Sequence, residues 1–98
     1  MKAIVNGVEM NEKEIDKTTV RFVMVFTEDS DSAAMEFELK NTSLKELREQ
    51  FGFHKNDPYF FNVHDIEAKH AKWIENHSAQ KLDFSKYQYQ LCSYGRNT

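Results

Sequence analysis

Two alternating runs, Thr19 to Phe26 and Ala33 to Lys40, constrain this chain more than any other feature, because together they specify a long β-hairpin. In the first arm Val20, Phe22, Met24 and Phe26 fall on one face. In the second, Met35, Phe37 and Leu39 share a face, while Glu36, Glu38 and Lys40 point the other way. Successive side chains on a strand point to opposite sides, so this period describes a sheet with one buried face and one wetter face. The arms are joined by the acidic connection Glu28-Asp29-Ser30-Asp31-Ser32. The hairpin defines an architecture and supplies no chemistry.

The remaining segments fill in around it. Lys2 to Val5 and Val8 to Met10 flank Asn6-Gly7, a pair suited to a two-residue hairpin turn. Such a hairpin is marginal alone and must dock on a larger sheet. Asn11 to Lys17 is charged and reads as a connector with at most one helical turn. Ser43-Leu44-Lys45-Glu46 has the spacing of a capping box, and Leu44, Leu47 and Phe51 recur at helical intervals before Gly52. Tyr59 to Val63 is dense enough in aromatics for a buried strand. Asp65 is positioned to cap a second helix running to His77, with Ile66, His70, Trp73, Ile74 and His77 on its inward stripe. Tyr87 to Leu91 alternates again and forms the last strand, with Arg96 to Thr98 trailing off its end.

The expected fold is therefore α+β: a mainly antiparallel sheet made of the long central hairpin, two further strands and the small N-terminal hairpin, with two helices packed on one face. At 98 residues the chain has room for one domain, residues 1–98, and one modest core. Met24, Phe37, Leu47, Phe61, Trp73 and Tyr89 are expected to meet in that core.

The sequence offers little for catalysis. His54, His64, His70 and His77 are the natural candidates for a metal or a general base. His70 and His77 share a helix face but stand two turns apart, about 10 Å along the axis, whereas chelation from one helix uses an i, i+4 pair. Cys92 is the sole cysteine, so no internal disulfide can form, and a cysteine inside a strand serves as a small core residue. No nucleophile elbow, phosphate-cradling glycine loop or dinucleotide fingerprint is present. The acidic connection lacks the glycine and distal glutamate of a calcium loop. The expectation is a protein that is not an enzyme and needs no cofactor or metal. Absent an apolar span or a signal-peptide core, it is expected in the cytoplasm, with no membrane contact.

Charge points toward a partner. Residues 1–41 hold five Lys and Arg against nine Asp and Glu, a net of −4, whereas residues 42–98 hold eight against seven, a net of +1. A phosphate-gripping surface needs clustered cations, so direct nucleic-acid binding is not expected even though Phe84, Tyr87 and Tyr89 could stack on bases. An acidic surface suits a basic protein partner. Glu28, Asp29 and Asp31 at the hairpin tip are the preferred contacts, and Glu36 and Glu38 on the wetter hairpin face extend them.

From Val20 onward the chain resembles small immunity proteins of bacterial contact-dependent growth inhibition systems. The resemblance lies in the two alternating arms, Leu44-Lys45-Glu46-Leu47 closing at Phe51-Gly52, and the aromatic segment ending Phe61-Asn62-Val63. It continues through the helix from Asp65 and the closing run from Leu82 to Tyr89. It covers about three-quarters of the chain and carries no diagnostic catalytic or binding motif. It implies a cytoplasmic, non-catalytic protein that plugs the active site of a cognate toxin, often a nuclease with a basic cleft. Two alternatives share the same features: a phage-encoded or accessory inhibitor or adaptor, and a small histidine-lined ligand-binding or enzymatic domain.

Overall fold

The computed structural model describes residues 2–5 and 7–95 of the chain. Met1, Asn6 of the expected Asn-Gly turn, and the expected trailing end Arg96 to Thr98 lie outside the described residues. The protein is α+β, built on a four-stranded antiparallel sheet. Strands β1 (Lys2–Val5) and β2 (Val8–Asn11) were expected in the main sheet but form a two-stranded sheet of their own, with Gly7 at φ +79 in the turn. Helix α1 (Glu12–Thr18) follows, then β3 (Thr19–Thr27), β4 (Met35–Glu38) and helix α2 (Leu44–Phe51). Strand β5 (His64–Ile66), a 3-10 turn (Ala68–His70), helix α3 (Ala71–Asn76) and β6 (Tyr87–Gly95) complete the chain. The sheet order is β4-β3-β6-β5, so the long hairpin β3-β4 forms one side and β6 returns beside β3.

The charged segment expected to be a connector is helix α1. Asn11 caps it, accepting from the Glu14 amide at 2.9 Å while the Glu14 carboxylate reaches back to the Asn11 amide, so both orphan donors are satisfied. Ile15 carries this helix into the core. The Asp16 carboxylate accepts from the Leu44 amide at 3.0 Å, and Glu12 pairs with Arg48, so α1 is tied to both ends of α2. Burial raises Asp16 above the usual carboxylate range, although the Leu44 amide and the nearby Arg21 act the other way.

Helix α2 starts and stops where expected. The Ser43 hydroxyl accepts from the Glu46 amide at 3.2 Å, and Gly52 at φ +82 ends the helix. The second half of the expected capping box is replaced. Glu46 instead accepts from the Trp73 indole at 3.2 Å and approaches His77 Nε2 at 2.9 Å, clamping α2 to α3.

Three further expectations are corrected. Tyr59 to Val63 is a loop, not a strand: Phe60 sits at φ +56, outside extended backbone, and backbone groups that a strand would pair bond instead to Arg21, Ser93 and Asp57. Phe61 is consequently turned outward and exposed. Asp65 lies within β5, and the helical segment begins only at Ala68, with Glu67 at its N-cap. The third correction is register. Val23 pairs with Phe37 and Leu91, whereas Met24 pairs with Glu36 and Gln90, so Met24 and Phe37 lie on opposite faces of the sheet. The core draws Val23, Val25, Tyr89 and Leu91 from the inner face, with Leu44, Leu47 and Ile74 from the helices over it. Phe37 and Trp73 pack against that core, but Met24 is outside it.

Candidate functional site

The register leaves the even-numbered side of β3 as the outer face. Val20, Phe22, Met24 and Phe26 run along it in one row. Val20 is buried, while the other three are only partly buried and none belongs to the core cluster. On the β4 side, Glu38 stands opposite Phe22 and Glu36 opposite Met24. On the β6 side, Gln90 faces Met24, Gln88 faces Phe26, and Cys92 faces Phe22, whose ring packs 5.3 Å from that of Tyr94. Asp65, opposite Gln90, is the outward residue of β5, and the Gln90 carboxamide reaches it at 3.4 Å. Among these strand positions are three carboxylates, Glu36, Glu38 and Asp65, and no lysine or arginine. Burial, reinforced by the negative charge of Glu36, pushes the Cys92 thiol up, which withholds the thiolate that a nucleophile needs.

The hairpin connection continues this surface. Glu28, Asp29 and Asp31 are all exposed. The Ser30 hydroxyl accepts from the Ser32 amide at 3.1 Å, and the Ala34 amide returns the chain to the Val25 carbonyl at 2.7 Å. Asp31 borders a surface cleft of about 320 Å³ whose other walls include Phe26, Asp65, Gln88 and Gln90. The structure thus brings Asp31, Glu36 and Glu38 to one face and adds Asp65, Phe22, Met24 and Phe26, none of which stood out as contacts in the sequence. The signal for them was apolar character on both sides of β3, which a strand with one wet face does not have. The exposed Lys69 and Lys72 lie on the 3-10 turn and α3, in the helical layer.

The four histidines do not converge. His64 meets the Asp57 carboxylate at 2.6 Å, with the His54 ring 4.6 Å away. Asp57 also accepts from the amides of Phe61 and Asn62. Burial alone would raise Asp57, but His64 and the two amides outweigh it and hold the carboxyl below its usual range. His70 is buried against Phe51, its Nδ1 accepting from the Glu67 amide at 3.0 Å. Burial, aided by Lys69, lowers its pKa, so the neutral ring is favoured. His77 lies between the Lys40 carbonyl and Glu46. Among the described residues, no group of three His, Cys, Asp or Glu side chains is placed to hold a metal ion.

Beneath the 59–62 loop lies Arg21, which interrupts the apolar inner face of β3 yet is only 3% exposed. Its guanidinium donates to the carbonyls of Phe60 and Tyr59 and to the Ser93 hydroxyl. Burial brings its pKa down to about 10, with Asp16 and Asp57 opposing, so it stays charged at neutral pH. Arg21 from below and Asp57 from the side fix a loop whose flanks display Phe53, Phe61 and Val63 to solvent.

Residues 20–92 match the model of a family described as a domain of unknown function, DUF7683. The chain belongs to that family. The match begins within β3, so β1, β2 and α1 precede it. No curated protein and no solved structure matches the chain. No helix among the described residues is long and apolar enough to cross a membrane.

Proposed function

We propose that this protein is a non-catalytic inhibitor that neutralises a cognate bacterial toxin, a nuclease with a basic substrate cleft, by occluding its active site in the cytoplasm. The observation that carries this reading is the gathering of Asp31, Glu36, Glu38 and Asp65 around an apolar row on one face of the sheet, with Glu28 and Asp29 at its end. A carboxylate-rich surface with an apolar centre is what a competitor for a phosphate-binding cleft presents: charges steer the encounter, and desolvated apolar contacts hold the complex. The resemblance to immunity proteins from Val20 onward adds the toxin as the object of inhibition.

The test is to express the product of the gene immediately upstream, alone and together with this protein. Growth arrest by the first and rescue by the second, with a stoichiometric complex on gel filtration, is the expected result. Replacing Glu28, Asp29 and Asp31 by their amides should slow association and flatten its salt dependence while leaving thermal stability unchanged. Absence of both rescue and complex formation would overturn the reading.

A further inference from the structure

We draw no further inference here: the strongest candidate, the surface cleft of about 320 Å³ lined by Asp31 of the hairpin connection, Asp65 of β5 and Phe26, Gln88 and Gln90 of the outer face, belongs to the acidic surface already described, and nothing among the described residues beyond its two exposed carboxylates shows what would fill it.

Discussion

Strand β3 puts Val23 and Val25 on its inner face and Phe22, Met24 and Phe26 on its outer face, and the smaller residues are the ones fully buried. Val23 lies between Phe37 and Leu91, under α2 and α3; Met24 lies between Glu36 and Gln90. Burial on a sheet is thus decided by what neighbouring strands place alongside and by which side the helices cover, more than by the hydrophobicity of the strand itself. Met24, though larger than either valine, is left only half-buried beside a carboxylate and a carboxamide.

Four measurements can break or sharpen the contrast between the faces. The largest effect should come from the inner side: Ile74→Ala empties a fully buried site and should cost about 2–5 kcal/mol in urea denaturation. A value near zero would mean that α3 does not seal the core. Arg21→Met comes next. It leaves the Tyr59 carbonyl without its donor and loosens that of Phe60, costing about 1–3 kcal/mol, with the 59–62 loop more open to proteolysis. An unchanged digestion pattern would detach Arg21 from the loop.

The third concerns pH. The folded-state pKa of His70 is lowered, so the unfolded chain binds the proton more readily. Its contribution to stability is complete above the ordinary histidine value of 6.5 and is lost as pH falls through the lower folded value. His70→Asn retains an acceptor for the Glu67 amide and should show a shallower loss of melting temperature between neutral pH and pH 5. Parallel curves for the two proteins would count against a buried neutral His70. The smallest effect belongs to the outer face: Met24→Ala should cost less than about 1 kcal/mol, the range of partly exposed substitutions. If it proves as costly as Ile74→Ala, the outer face is an integral part of the core.

The α+β class, the long hairpin, the Ser43 cap and the Gly52 stop were legible in the sequence because each rests on local chemistry. A hydroxyl three residues before an amide donor and a glycine free to take positive φ need no knowledge of the rest of the chain. The faces of β3 were not legible, since both alternations are apolar and only pairing across strands distinguishes them. Arg21 obscured the inner one, because a charged residue in a strand normally marks the wet side. Helix α1 was hidden by its charge: Ile15 is its single buried residue, too sparse a stripe to show a period. Tyr59 to Val63 has strand composition, but the Asp57 carboxylate and the Arg21 guanidinium bind its backbone groups and hold it as a loop. Of the proposed contacts, Glu28, Asp29, Asp31, Glu36 and Glu38 were visible from charge alone, whereas Asp65 was not. Their apolar companions required the register.

The ties from α1 to α2 bear on where this protein can be cut. Sequence likeness to the family begins at Val20, but Ile15 fills the core from outside that stretch, and Asp16 supplies the acceptor for the first amide of α2. A chain started at the family boundary would open a cavity under the helices and strip an acceptor from α2 in the same stroke. The inherited unit and the self-supporting unit therefore have different edges, and the second begins no later than the Asn11 cap.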